Sequence, residues 1–214
     1  LRNGGFDIVS VLTYIVSSLC VIFFILPVHE FAHGFVATKL GDYTPRYEGR
    51  LTLNPMAHID PIGLVCMFLV HFGWAKPVSI NPNNFRKPRR DDILVSLAGP
   101  MANFLIAFLT LAILLFLLQS GMQMSIGMRS VLLLIVIYNI NFGIFNLIPL
   151  PPLDGSHVLV QLLPRDMAYK LAGLERYSFI ILIAIMMTPI LGYILVPMQR
   201  LVLDIFTALI GIFI

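Results

Sequence analysis

His29, Glu30 and His33 carry the side chains in this chain best suited to chemistry, within the run His29-Glu30-Phe31-Ala32-His33. Residues four apart lie one above the other on the same face of a helix, so both imidazoles can reach one metal ion. Glu30 sits beside the same site and can act as base for a water that the metal activates. The run closes an uncharged stretch from Ile8 to Val28, which reads as a membrane-spanning helix. A histidine at a helix end also serves as a cap or an interface residue, so the pattern alone proposes a site without completing it.

A hydrolytic zinc site usually has three protein ligands and one open position. The remaining ligand is sought in Pro149-Leu150-Pro151-Pro152-Leu153-Asp154-Gly155-Ser156-His157. The prolines interrupt or end the preceding helix, and Gly155 permits an unusual turn or a close backbone approach. Asp154 can offer a carboxylate oxygen, or it can simply cap the next helix. His157 is an alternative nitrogen, and His58 and His71 are remoter candidates.

The elements that must position these groups are set by composition. Of 214 residues, 58% are hydrophobic and 12% charged, about half the charge of an average soluble domain. The mean hydropathy is +0.91. These values describe a multi-pass integral membrane protein of one domain, covering 1–214. Its net charge of +3 is better matched to lipid headgroups and topology than to nucleic acid. Cys20 and Cys66 both lie in apolar stretches and read as free buried thiols.

Along the chain, 8–38 is expected to be the metal-bearing helix, too long for a signal peptide and without a small-residue cleavage site before His29. Pro27 should kink or loosen it near the site. Tyr47 to Asn54 reads as a short hairpin or edge strand, and 60–73 as an apolar segment of about 21 Å, too short to cross and therefore re-entrant or interfacial. Asn81 to Pro88 argues against regular structure in the basic region that ends near residue 92. Further membrane segments are expected at 93–118, 130–148, 177–197 and 201–214, the last short and carrying Asp204. The fold class is thus all-α and polytopic, with about five spanning segments, a small membrane-associated β hairpin and a re-entrant segment.

Charge orients this arrangement. Residues 39–92 carry eight basic groups and 149–176 carry three, while 119–129 has only Arg129. If 60–73 does not cross, both basic regions share one face, cytoplasmic by the positive-inside rule.

Three runs in order, His29 to His33, Gly99-Pro100-Met101-Ala102-Asn103, and Asn146 to Gly155, resemble the signatures of the site-2 protease family of intramembrane zinc metalloproteases. The likeness extends to Leu51-Thr52-Leu53-Asn54-Pro55 and is closest to the short branch, without an added peptide-binding or nucleotide-sensing domain. It implies His29, His33 and Asp154 as Zn2+ ligands and Glu30 as base. It also implies Asn146 near the metal, helping to hold substrate or oxyanion, with Asn103 supporting packing or the substrate path. Gly99 and Ala102 have the plainer reading of close helix packing, and Asn139 and Asn141 that of hydrogen bonding between helices.

The activity so implied is hydrolysis of transmembrane or membrane-tethered protein substrates at a site facing the cytoplasm of the cell membrane. A substrate helix must unwind before its carbonyls are free, and the strand near Leu51 to Leu53 is expected to pair with it, with Gly49 and Gly63 permitting local motion. A transporter or channel would need a continuous polar path, which the uncharged 93–118 and 177–197 segments do not suggest. A non-catalytic zinc-binding adaptor could keep this fold, but the complete set His29, Glu30, His33 and Asp154 weighs against it.

Overall fold

The computed structural model describes residues 15–16, 19, 21–70 and 74–212. The start of the expected metal-bearing helix, Cys20 and His71 lie outside the described residues, and Cys66 is a free, half-buried thiol. The described chain is mostly helical. Pro27 follows a single π-helical turn, Val21–Ile25, and opens α1, Leu26–Leu40. A proline within the first turn has no N–H to lose there. The widened turn just before it is the local loosening expected at that residue. Gly41, at φ +113, ends α1 in the left-handed region, and the N–H of Asp42 donates to the Ala37 carbonyl (2.9 Å). Glu30, His33, Gly34 and Ala37 form a buried stripe at helical spacing, so the chemical face of α1 is also its packing face.

The segment after α1 departs from expectation. Among the described residues, Tyr47 to Asn54 forms no hairpin, and the edge expected to receive substrate is not formed there. Its backbone is satisfied by local turns instead. Arg50 N–H and Leu51 N–H both donate to Pro45 O, Thr52 N–H donates to Arg50 O, and Asn54 Oδ1 caps a short turn by accepting from Met56 N–H. Gly49 sits at φ +68, which extended strands exclude. The Arg50 guanidinium donates to Ala57 O and fills the interior of these nested turns.

Helix α2, Pro61–Val70, is short. Asp60 Oδ1 caps it by accepting from Gly63 N–H (2.8 Å). Ile59 and Ala75 form an isolated antiparallel bridge, with Lys76 N–H donating to His58 O (2.8 Å). The two ends of the 60–74 segment therefore meet. Gly63 has a different use from the expected local motion: a Cβ there would lie 2.1 Å from Trp74 O, so glycine lets the returning chain pass.

Helix α3, Pro88–Gln119, starts earlier than the uncharged run. Pro88 sits at its first turn, where proline favours a helix, and Asp91 Oδ2 accepts from Lys87 N–H (2.9 Å). α4, Ile126–Asn146, is capped by Ser125, which accepts from Met128 N–H. The two long helices meet through Ala107, Leu111, Val136, Ile140 and Ile144, all buried, and Phe104 packs on Gly143. α5, Asp154–Leu162, packs against α3 beyond the proline run.

The carboxyl-terminal elements divide differently from the expected 177–197 and 201–214. α6 is Arg165–Met186 and α7 is Ile190–Ile210. Pro189 lies at the N-cap of α7, where its missing donor is harmless, whereas Pro197 is carried inside the helix. Among the described residues, α3, α4 and α7 are long and apolar enough to cross a membrane. Leu105, Leu109 and Ile113 form an exposed stripe along α3, as a lipid-facing side requires.

Candidate metal centre

Two elements bring His29, His33 and Asp154 together. Both histidines project from the buried face of α1, and Asp154 is the first residue of α5. His29 Nε2 and His33 Nε2 are 3.0 Å apart, and Asp154 Oδ2 is 3.1 Å from the first and 3.3 Å from the second. These atoms form a nearly regular triangle, and the three residues are a group able to hold one metal ion.

The outer nitrogens determine what the inner ones offer. His33 Nδ1–H donates to the carbonyl of Val95 (2.7 Å), and a carbonyl can only accept. His29 Nδ1–H donates to Asn103 Oδ1 (2.6 Å), while Asn103 Nδ2–H is committed to Asn139 Oδ1 (3.0 Å). In the neutral tautomers so fixed, both Nε2 atoms present lone pairs to the centre. Asp154 Oδ2, buried and without a hydrogen-bond donor among the described residues, adds another. Three electron-pair donors so close repel unless a cation lies among them. A proton satisfies one pair, whereas a dication satisfies all three. Ligands about 2.0–2.1 Å from a tetrahedral zinc stand about 3.3 Å apart, so this spacing fits zinc.

The site is possible because Gly99 on α3 has no side chain. A Cβ there would lie 2.3 Å from His33 Nε2 and 2.6 Å from His29 Cε1. Gly155 makes a second close approach: its Cβ would meet Leu147 O at 2.2 Å, so glycine lets the start of α5 pass the end of α4 and sets Asp154 in place. Phe142 packs edge-on against His29, with ring centroids 4.9 Å apart.

Glu30 is buried on the wall of the same cavity, about 780 Å3 in volume. Its Oε2 accepts from Val78 N–H (2.9 Å), which ties α1 to the extended segment after Trp74. Asn146, at the end of α4, also lines the cavity, with Nδ2–H donating to Phe142 O (3.0 Å); the amide's other N–H can serve a ligand. His157 lies exposed on the cavity wall outside the cluster of three. His58 is fully buried there, donating from Nε2 to Thr52 O, and its Nδ1 has no partner among the described residues.

Reasoning from sequence read Gly99 as a residue of close helix packing without seeing that its empty space is filled by the two imidazoles, and it missed the support of the rings by Val95 and Phe142. The polar Asn103 and Asn139 within apolar helices were the available signal for the rest. Asn139 does bond across helices, whereas Asn141 Oδ1 has no partner among the described residues.

Comparison with known proteins points the same way. Residues 116–189 match peptidase family M50. The chain is 39% identical over 193 residues to "Putative zinc metalloprotease YwhC" of Bacillus subtilis, spanning 88% of this chain and 87% of that one. It is 29% identical over 171 residues to "Putative zinc metalloprotease Rip2" of Mycolicibacterium smegmatis and 28% over 174 residues to the protein of that name in Mycobacterium tuberculosis. Both alignments cover 78% of this chain and 65% of the relative. No solved structure matches. With likeness to YwhC running through almost the whole of both chains, this polytopic helical protein belongs to peptidase family M50, the site-2 proteases.

Proposed function

We propose that the chain is a zinc-dependent endopeptidase that hydrolyses peptide bonds of transmembrane or membrane-tethered proteins. His29, His33 and Asp154 hold Zn2+. The observation that carries this reading is the convergence of their three lone pairs on one point, beside a buried carboxylate in a cavity. Bound there, zinc supplies a Lewis acid that polarises the scissile carbonyl and makes water more acidic. Glu30 takes the proton of the attacking water on a carboxylate oxygen and delivers it to the leaving amide nitrogen. Asn146 uses its remaining N–H to orient the substrate carbonyl and stabilise its developing negative charge. The apolar part of the cavity wall, including Phe142, Phe145 and Leu182, limits access of bulk water.

The chain acts as one domain of the cell membrane, with α1 and the residues before it, α3, α4, the apolar end of α6, and α7 as its membrane segments. The 60–73 segment is re-entrant, a reading supported by the Ile59–Ala75 bridge that joins its ends. The site opens toward the cytoplasm. The basic charge of 39–92 and 149–176 supports that orientation. So does the bond from Gln161 Nε2–H to Asp92 Oδ2 (2.7 Å), which links the two regions at one end of α3.

Glu30→Gln keeps the shape of the side chain but cannot accept the proton. Purified Glu30→Gln protein is expected to retain one zinc per chain and to cleave a membrane-embedded substrate about 10²–10⁴-fold more slowly. Cleavage near the unmodified rate would require another base.

A further inference from the structure

A line of polar groups runs through the apolar helices behind the metal centre, and its direction is set by its far end. Asn139 Nδ2–H donates to the carbonyl of Ile135 (2.8 Å), one turn earlier on α4. That carbonyl cannot donate, so the Asn139 amide has one orientation, with Oδ1 turned toward α3. Asn139 Oδ1 accepts from Asn103 Nδ2–H (3.0 Å), which turns Asn103 Oδ1 toward α1. Asn103 Oδ1 then accepts from His29 Nδ1–H (2.6 Å). Both asparagines are buried, at 0% and 1% exposure, so water does not compete for these bonds.

We infer that Asn139 and Asn103 are positioning residues that hold His29 in the tautomer and ring orientation required of a zinc ligand. An asparagine amide is nearly symmetric in shape, and a flip exchanges an acceptor for a donor. Were Asn103 flipped, its N–H would favour His29 with a bare Nδ1 and a proton on Nε2, the atom that must face the metal. Asn139, anchored on Ile135, makes that flip unfavourable because it would set two amide oxygens against each other. A partner for the outer nitrogen of a ligating histidine typically changes metal affinity by about 10–100-fold. Here the partner comes from α3, and its own orientation is enforced from α4.

The inference rests on His29 being a zinc ligand. It is tested by the zinc dissociation constant, measured by chelator competition on the purified full chain in detergent, with the Co2+ absorption spectrum as a readout of ligand geometry. Asn103→Asp keeps an acceptor for His29 Nδ1–H and, with its other oxygen protonated, a donor to Asn139 Oδ1, whereas Asn103→Leu keeps approximate size and loses both. The expected result is zinc binding within a few-fold of the unmodified chain for Asp and about 10–100-fold weaker for Leu, with Asn139→Leu between them. A residue serving only as packing would give the reverse order, since leucine suits an apolar interior and a buried carboxylate does not. Finding that reverse order, or Leu equal to the unmodified chain, would overturn the inference. His29→Ala separates the two levels. Lost zinc there with an unaffected Asn103→Leu removes the relay alone, while unaffected zinc in His29→Ala removes the ligand assignment as well.

Discussion

On the α3–α4 side of the cavity, His29 and His33 are fixed through their outer nitrogens to Asn103 and to the Val95 carbonyl, within helices packed along most of their length. The opposite side is the segment 74–85, irregular apart from a 3-10 turn at Pro82–Asn84, whose hydrogen bonds to α1 and the loop after it are few and widely spaced. Val78 N–H reaches Glu30, and Asn81 N–H and the Asn84 amide reach Asp42 (2.7 and 2.8 Å). Phe85 adds an apolar anchor against Ala37 and Val95. The first side holds the two imidazoles in register by directional bonds backed by a packed core. The second is fastened near its ends and to Glu30 between them. Chemistry that depends on tenths of an ångström is built on the first. The less regular side is the one able to yield to an incoming peptide without disturbing the metal.

This contrast predicts unequal costs. The largest belongs to Gly99, because a methyl group there has no room beside two rings held from behind. Overpacking of this kind costs about 1–3 kcal/mol. Here it falls on the ligand triangle, so Gly99→Ala should weaken zinc binding by about 10–100-fold, at about 1.4 kcal/mol per tenfold. Chelator competition measures this directly. Cleavage should fall at least as far, while helix content measured by circular dichroism stays unchanged.

A smaller effect of another kind is expected at Asp42. It is fully buried and accepts from Thr44 N–H, Thr44 Oγ, Asn81 N–H and the Asn84 amide. Asp42→Ala strands those donors and should cost about 1–3 kcal/mol in unfolding free energy, with zinc affinity nearly unchanged. Protease nicking should increase between residues 74 and 85. Burial would raise the pKa of Asp42, but its hydrogen bonds prevail and hold it below the ordinary value of 3.8. A carboxyl lowered on folding contributes stability above its unfolded-state pKa and loses it as pH falls through the folded-state value. The gap in melting temperature between the unmodified chain and Asp42→Ala should therefore shrink below about pH 4. Weakening of zinc binding at neutral pH by Asp42→Ala, comparable to that by Gly99→Ala, would erase the distinction between the two sides.

How much of this was legible in the sequence follows the same division. The spacing of His29 and His33 is a property of one helix, so it could be read from local periodicity. Asp154 emerged as one of several candidates and as an implication of family resemblance, because only the α3–α5 packing brings it to the histidines. Gly99 was read as a packing residue because an absent side chain has no chemistry to announce what its space is for. The hairpin was misjudged because the sequence around Leu51 to Leu53 has strand-like residue types, while Gly49 and the side-chain caps of Thr52 and Asn54 close it into turns. The helix boundary at Pro189 was missed because Tyr177 to Pro197 is continuously uncharged. Hydropathy records no break where the backbone turns.

Zinc content of purified Asp154→Ala and His157→Ala proteins, compared with the unmodified chain, bears most directly on the metal centre. The two residues lie three positions apart at the start of α5, on the same cavity wall, and differ in whether they join the triangle with His29 and His33. The expected result is one zinc per chain in the unmodified and His157→Ala proteins and near-complete loss in Asp154→Ala. Full zinc in Asp154→Ala together with loss in His157→Ala would contradict it.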